Sequence, residues 1–253
     1  VHPVLVKSRI LPPPAPYTGR EGIFLLTYVD WTPGRWGRVR TELLRPCGLP
    51  VLYLTARDVP ARRVLRTLRR LRRAGDVRCA ILPDALAPRA ALCGIADPDE
   101  AALRRALLTP LLRALTGAED GARIPAVLLS APAASPAVYA AAEELAHAAR
   151  RLLLDVGAGQ EDLSDYLRRR FGLCAGGAPP DAEVCFGERK GSAPALFLGT
   201  GCRARQPVEY ALSAAYAPTL GPLPPDGRLL CALFQAGKLP IAAIGVKSVQ
   251  HNA

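Results

Sequence analysis

Apolar and polar positions follow two different periods along most of this chain. Short apolar runs rich in β-branched and aromatic residues predict buried strands over 22–29, 51–55, 77–82, 124–130 and 152–156. Between several of these runs, apolar residues recur every three or four positions, which is typical of amphipathic helices. The clearest case follows Pro60, where Val64, Leu68 and Leu71 share one face before Gly75 ends the helix.

The order of these elements predicts the fold class. Strands alternate with helices of about 12 to 18 residues as far as Phe171, and this alternation implies right-handed parallel crossovers. We therefore expect an α/β fold, with a mainly parallel sheet covered by helices on both faces in a doubly wound, Rossmann-like arrangement. The C-terminal third is less regular, with short strands expected at 183–186, 195–198 and 241–246 and a helix at 228–236.

Two helices carry start signals in their sequences. The segment Asp97-Pro-Asp-Glu100 predicts an N-cap, a proline in the first helical position and a capping-box glutamate. That helix is expected to run toward Gly117 with a kink at Pro110, because proline removes a backbone donor. Ser135 followed by Pro136 predicts the start of the next helix.

The chain divides by composition into a short lead and one long domain. Residues 1–20 form a proline-rich lead, and residues 21–253 are expected to form a single α/β domain. Compositional breaks at 118–123 and 173–182 are the positions where a subdivision is plausible, and 174–180 is expected to be a loop.

The overall composition is that of a soluble globular protein: half of the residues are apolar and 22% are charged. No apolar stretch reaches the ~18 residues that a membrane-spanning helix needs, and the N-terminus makes a poor signal peptide, so a cytoplasmic location is expected. The odd number of cysteines, without a C-x-x-C pair or a nearby histidine, predicts free thiols and neither a disulfide framework nor a metal site.

The net charge of +11 has two competing explanations. One is a dedicated polyanionic partner, because positive charge concentrates polyanions at a protein surface. The other is coding bias, since only four lysines accompany 29 arginines among abundant Ala, Gly and Pro.

The helix expected over 61–74 concentrates this charge. Once its apolar stripe is assigned to the core, the outer face is entirely arginine, and Arg62, Arg66, Arg69 and Arg73 could contact phosphates without reading a sequence. A solvated amphipathic helix is the alternative explanation. A mixed aromatic and basic patch comes earlier in the chain, and consists of Trp31, Trp36, Arg35, Arg38 and Arg40.

The segment Leu152 to Glu161 is a strand ending in Asp155, with Gly157 and Gly159 in the turn that opens a helix. It resembles the first motif of class I S-adenosylmethionine-dependent methyltransferases, in which glycines let the backbone approach the ligand. Glu161 replaces the usual third glycine, and too little chain follows for the rest of that fold. We therefore expect a tight strand-to-helix connection, with no S-adenosylmethionine bound.

A second glycine turn could hold an anion between backbone N–H groups and guanidinium forks. It contains Gly199 and Gly201, followed by Arg203, although a solvated loop has the same signature. With only three histidines, and neither a nucleophile elbow nor a P-loop, no catalytic residue or cofactor is identified.

Three functional hypotheses remain open. The first is a protein without a recognisable active site. The second is a small-ligand or nucleotide-binding enzyme that uses a crevice near Asp155 and Gly199, since ligands of α/β sheets bind beyond strand ends. The third is a non-specific polyanion-binding module that uses the arginine-rich helix.

Overall fold

The computed structural model describes residues 24–75, 77–119, 121–172, 179–189, 191–202 and 206–250. The proline-rich lead and most of the expected loop at 174–180 lie outside these ranges. The described chain forms two compact units, one ending at Asp97 and the other beginning at Pro98. Each unit combines helices with parallel strands, so the α/β class is confirmed.

The first unit is built on a four-stranded sheet. Its strands are β1 (Phe24–Trp31), β2 (Arg40–Leu44), β3 (Val51–Ala56) and β4 (Val77–Ile81), in the spatial order β2-β3-β1-β4. Strands β3, β1 and β4 are parallel, and the edge strand β2 runs antiparallel to β3. The helices are α1 (Ala61–Arg73) and the short α2 (Ala87–Ala91).

Helix α1 matches its prediction closely. Val64, Leu68 and Leu71 are buried in the core beside β3 and β4, and each contributes about 1.5–3 kcal/mol through burial. Gly75 follows the helix with a φ of 84°, a left-handed conformation that favours glycine. The arginines are left on the outer face.

The second unit contains a four-stranded parallel sheet and a separate antiparallel pair of strands. The parallel strands are β5 (Ile124–Ala133), β6 (Ala149–Ala158), β7 (Ala182–Cys185) and β8 (Ala195–Phe197), ordered β6-β5-β7-β8. The antiparallel pair is β9 (Val208–Leu212) and β10 (Ile244–Val249). The helices are α3 (Ala101–Ala106), α4 (Leu108–Thr116), α5 (Pro136–Ala148), α6 (Gln160–Phe171) and α7 (Gly227–Gln235).

The connections set the order of the parallel sheet. Helix α5 connects β5 to β6, which is the neighbour of β5 on one side. Helix α6 then connects β6 to β7, which is the neighbour of β5 on the opposite side. The strand order therefore reverses between β5 and β7. The core-facing residues of β5, including Val127 and Leu129, are fully buried, as expected for a central parallel strand.

The start of α3 differs from its prediction. The helix begins at Ala101, and the Asp99 side chain accepts a hydrogen bond from the Ala101 N–H at 3.1 Å, so the capping box predicted from Asp97 to Glu100 is wrong. Glu100 makes no cap hydrogen bond, because its buried carboxylate pairs with Arg104 instead.

The kink predicted at Pro110 is present as a break in the helix three residues earlier. The helical run is interrupted at Leu107, which has φ −109° and ψ 23°, and divides into α3 and α4. Proline at 110 has no N–H for the carbonyl group four residues earlier, which explains the break. The Ser135 cap is also confirmed, since its hydroxyl accepts from the Val138 N–H.

Three strands differ from the sequence prediction. Strands β2 and β9 were not predicted, and the last strand begins at Ile244 because Ile241–Ala243 forms a turn of 3-10 helix. In the described part of the chain, no helix is both long and apolar enough to cross a membrane.

Candidate functional site

The positive charge of this protein is concentrated in one part of the chain. Residues 1–97 contain 17 basic and 7 acidic residues, a net charge of +10, while residues 98–253 carry only +1. Coding bias would act on both parts alike, so it does not account for this asymmetry. The charge therefore points to the first unit as the place where an anionic partner would bind.

Helix α1 carries the largest share of that charge. All seven of its arginines are exposed, and within the described ranges none of them forms an ion pair with a carboxylate; they are Arg62, Arg63, Arg66, Arg69, Arg70, Arg72 and Arg73. Four of them, at positions 62, 66, 69 and 73, form one stripe opposite the buried face. This stripe runs along a helix of about 20 Å.

Three of these arginines meet at a cavity near the end of α1. The cavity has a volume of about 410 Å³ and is lined by Arg69, Arg72, Arg73 and Cys93. The Arg69 Nε donates to the Cys93 Sγ at 3.0 Å, and the Arg72 guanidinium donates to the Cys93 carbonyl oxygen. Guanidinium groups gathered in this way suit phosphate or carboxylate oxygens.

The two tryptophans of the mixed patch play different roles. Trp31 packs against the core of the first unit, and its indole Nε1 donates to the Val59 carbonyl oxygen at 2.7 Å. Trp36 is 87% exposed. Trp31 therefore belongs to the fold, while Trp36 belongs to the surface, together with the exposed Arg35, Arg38 and Arg40.

The loop that carries Trp36 is fixed to the rest of the unit. Asp58 accepts two hydrogen bonds from it: its Oδ1 accepts from the Arg35 N–H at 3.1 Å, and its carbonyl oxygen accepts from the Gly37 N–H at 2.7 Å. The Arg63 guanidinium of α1 donates to the Gly37 carbonyl oxygen at 2.7 Å. The loop of residues 32–39, called here the Trp36 loop, thus lies against the first turn of α1.

Asp30, an aspartate near a strand end, forms a local polar cluster. Its Oδ2 accepts from the Tyr53 hydroxyl at 3.1 Å and lies 3.3 Å from the Arg57 guanidinium. Burial raises the pKa of Tyr53, with a further upward contribution from Asp30. Because Tyr53 and Arg57 bind its carboxylate, we assign Asp30 a structural role in the sheet.

The structure places the two predicted glycine turns on different strands. Asp155 and Gly157 lie inside β6, and Gly199 and Gly201 follow β8. Strands β6 and β8 are the two edges of the parallel sheet, with β5 and β7 between them. The two turns are therefore not neighbours, and Arg203 lies outside the described residues.

The turn after β6 is filled by its own residues. A Cβ on Gly157 would overlap the Pro132 carbonyl oxygen of β5, and Gly159 begins α6 with a φ of 84°. The Val156 N–H, near the end of β6, donates to the Gln160 Oε1 at 2.8 Å. This geometry explains why the strand-to-helix connection needs glycines without invoking a ligand.

A buried polar cluster that the sequence did not predict lies between the central strands β5 and β7. The Ser130 hydroxyl donates to the Glu183 Oε1 at 2.8 Å, and Glu183 Oε2 accepts from the Gly191 N–H at 2.9 Å. Burial is the main cause that raises the pKa of the neighbouring Cys185 thiol to about 12. At neutral pH this thiol is protonated, so it is a poor nucleophile.

A second buried polar group surrounds Arg104. Its fully buried guanidinium donates to the Glu100 Oε1 at 2.7 Å and to the Gln206 carbonyl oxygen at 2.6 Å. A cavity of about 360 Å³ nearby is lined by Glu100, Glu209, Asp226 and other residues. Its lining also includes Lys247, and Glu100 and Asp226 are paired with Arg104 and Arg228, so this cavity lacks the group of basic side chains that lines the cavity of the first unit.

The two buried polar clusters, around Glu183 and around Arg104, could not be predicted from sequence periodicity, because the strands and turns that contribute their residues are distant in the chain.

Among the described residues, no group of three or more His, Cys, Asp or Glu side chains is arranged to hold a metal ion. Comparisons with protein-family models, with curated proteins and with solved structures found no match to this chain.

Proposed function

We propose that this protein is a non-specific polyanion-binding module that acts through the exposed arginine face of α1. The observation that carries the proposal is the charge asymmetry: +10 of the net charge of +11 belongs to residues 1–97. Most of that excess comes from the seven exposed arginines of one helix, which face solvent rather than carboxylates in the described structure.

The positive charge of α1 favours an arginine face that binds an anionic partner over one that only contacts water. Seven like charges on a helix of 13 residues repel one another, and α1 has no acidic side chain to offset them. A polyanion relieves that repulsion and releases counterions when it binds. The arginine-lined cavity at Arg69, Arg72 and Arg73 supplies a concave place for one anionic group.

The hypothesis of a ligand crevice near Asp155 and Gly199 receives less support. Asp155 lies in one edge strand of the parallel sheet and Gly199 follows the other, and the Val156 N–H donates to Gln160. The doubly wound arrangement fits the crossovers through α5 and α6 and is retained as part of this proposal. A cytoplasmic location is proposed with it, in keeping with the six free thiols among the described residues.

The test is the salt dependence of binding to duplex DNA. For about four arginine contacts, the slope of log K against log salt should be roughly −3 to −4. Replacing Arg62, Arg66, Arg69 and Arg73 with Gln should flatten that slope and weaken binding at low salt. The apolar stripe is untouched, so the thermal unfolding transition should stay within a few degrees of the native one.

A charge-matched control separates local binding from net charge. Replacing four exposed arginines of the second unit with Gln removes the same charge; the positions are Arg123, Arg150, Arg151 and Arg169. This variant should keep most of the native slope. Equal losses in the two variants, or no binding by the native protein at low salt, would reject the proposal.

A further inference from the structure

Trp36 is exposed although its loop is well anchored. The indole is 87% exposed, and Leu92 is the only other large hydrophobic side chain of the described chain with that degree of exposure. Trp is rarely left in water, because its burial contributes a large favourable free energy. An ordered loop that presents such a side chain therefore suggests a ligand for it.

The neighbours of Trp36 are held on both sides. Arg35 and Gly37 each donate a backbone hydrogen bond to Asp58, and Gly37 also accepts from Arg63. Asp58 itself adopts a left-handed conformation with a φ of 57°, and its N–H donates to the Thr32 hydroxyl. A Cβ on Gly37 would overlap the Arg57 carbonyl oxygen, so this backbone packs without a gap.

The result is an exposed indole on an anchored loop that also carries exposed arginines. Arg35 and Arg38 flank Trp36 in the chain and are exposed, and the Arg63 hydrogen bond places the loop at the first turn of α1. From there the stripe of Arg62, Arg66, Arg69 and Arg73 continues along the helix. A base-stacking surface that leads into a row of phosphate contacts is the arrangement used to bind single strands.

We propose that the ligand of this surface is single-stranded nucleic acid, with one base stacked on Trp36 and the following phosphates on the arginine stripe of α1. The proposal rests on the polyanion-binding function above and names its ligand class. A duplex keeps its bases stacked on each other, so it offers phosphates to the arginines but no free base to Trp36. Single strands should therefore gain from Trp36, and duplexes should not.

The experiment uses the full chain and three probes at one salt concentration: an oligodeoxythymidine of about a dozen nucleotides, a duplex of similar charge, and inorganic polyphosphate. Trp36→Ala should weaken binding of the oligodeoxythymidine by about 5-fold or more. Its binding of duplex and polyphosphate should change by less than about 2-fold. Trp36→Phe should restore part of the loss, because a smaller ring still stacks.

Fluorescence provides an independent readout. In a Trp31→Phe variant, Trp36 is the only tryptophan, and its emission should be quenched by oligodeoxythymidine but not by polyphosphate. The salt slope should be the same in the native protein and Trp36→Ala, because the indole displaces no counterion. Thermal unfolding of Trp36→Ala should match the native protein, since an exposed side chain is removed.

The outcomes separate this inference from the proposed function. An equal effect of Trp36→Ala on all three probes, or no effect on oligodeoxythymidine, would overturn the stacking role while leaving the arginine surface intact. A blue shift of Trp36 with phosphatidylserine vesicles, without quenching by oligodeoxythymidine, would also overturn it in favour of a lipid surface. Failure of the native protein to bind any of the three polyanions would reject the proposed function itself.

Discussion

The Arg63 guanidinium donates a hydrogen bond to the Gly37 carbonyl oxygen at 2.7 Å, although 26 residues separate them in the chain. This bond joins the helix with the highest positive charge to the loop with the most exposed tryptophan. Arg63 therefore differs from the other arginines of α1, because it holds the Trp36 loop in addition to contributing charge.

Arg63→Gln should change both the salt dependence of duplex binding and the preference for single strands. Arg62→Gln should change only the salt dependence. Arg62→Gln removes one of the four contacts of the stripe, so it should make the salt slope for duplex DNA less negative by about 0.9, and Arg63→Gln, outside the stripe, by no more than that. Only Arg63→Gln should also reduce the preference for oligodeoxythymidine over duplex, because the Trp36 loop loses an anchor. The measurement is a paired titration of both ligands at several salt concentrations.

Equal preference for the single strand in both variants would show that Arg63 acts only through its charge. The neighbouring Arg62 is a close control, since it is exposed, lies in the same helical turn and leaves the Gly37 bond in place. Both variants should unfold at similar temperatures.

The arginine stripe could be predicted from sequence because it follows directly from the helical period. The role of Trp36 could not, because it depends on which of two nearby tryptophans enters the core. Trp31 is held there by the Val59 carbonyl, a contact 28 residues away. Local pattern cannot show such a contact, and it also cannot show that Asp58 fixes the loop.

The buried pair of Arg104 and Glu100 should be essential for the stability of the second unit. Glu100→Gln leaves a guanidinium in the interior without a compensating charge, and the free energy of unfolding should fall by about 3 kcal/mol or more. Arg168 and Asp165 form a matched pair: their N–O distance is 2.8 Å against 2.7 Å, but both are half-exposed or more. Asp165→Asn should therefore cost less than about 1 kcal/mol.

Chemical denaturation of the two variants tests this comparison. Similar losses in both would mean that burial of Arg104 does not determine the strength of the interaction.

The same pair shows where the sequence analysis of the fold fails. Asp97-Pro-Asp-Glu100 has the residue types of a helix cap, and local chemistry alone favours that interpretation. The structure uses Glu100 instead to neutralise Arg104, a long-range requirement set by burial. The strands and helices with strong periodicity, such as α1, β3 and α6, were predicted well because their patterns are local.

Strand order is the other property that periodicity does not determine. The sequence predicts a parallel sheet, but only the structure shows that β6 and β8 are its edges. The hypothesis of one crevice near Asp155 and Gly199 depended on those strands being neighbours. The strand-to-helix connection was expected at the correct place, since Gly159 leads into α6, although β6 extends through Gly157 to Ala158.

S-adenosylmethionine should not bind this protein. The Val156 N–H is already bonded to Gln160, Gly157 packs on Pro132, and Glu161 adds negative charge where α6 begins. A carboxylate-bearing ligand would meet repulsion there rather than the free N–H groups that normally hold an anion. Calorimetry with micromolar ligand should give no saturable heat.

A double variant makes this test more demanding. Gln160→Ala with Glu161→Gly frees the Val156 N–H and removes the carboxylate, and we still expect no binding, because β6 is an edge strand with Gly157 packed closely against Pro132. Saturable binding by the native protein would show that the likeness to the methyltransferase motif reflects function.

The Cys185 thiol should make the protein less stable at alkaline pH. Its ordinary pKa is 9.0, and burial raises the pKa of the thiol to about 12 in the folded protein. Above pH 9 the unfolded chain releases this proton while the folded protein retains it. The stabilisation is thus complete below pH 9 and is lost as the pH rises toward 12, by at most about 1.4 kcal/mol per pH unit.

Denaturant unfolding measured at several pH values between 8 and about 11 tests whether the stability falls as the pH rises and whether Cys185 contributes to that fall. Cys185→Ala and Cys185→Ser both remove the titrating thiol, and both should flatten the decline even though their stabilities at neutral pH differ. Other groups with raised pKa values, among them Tyr53 and Cys231, will leave part of the decline in place. A decline as steep in both variants as in the native protein would show that Cys185 is not a source of the alkaline sensitivity.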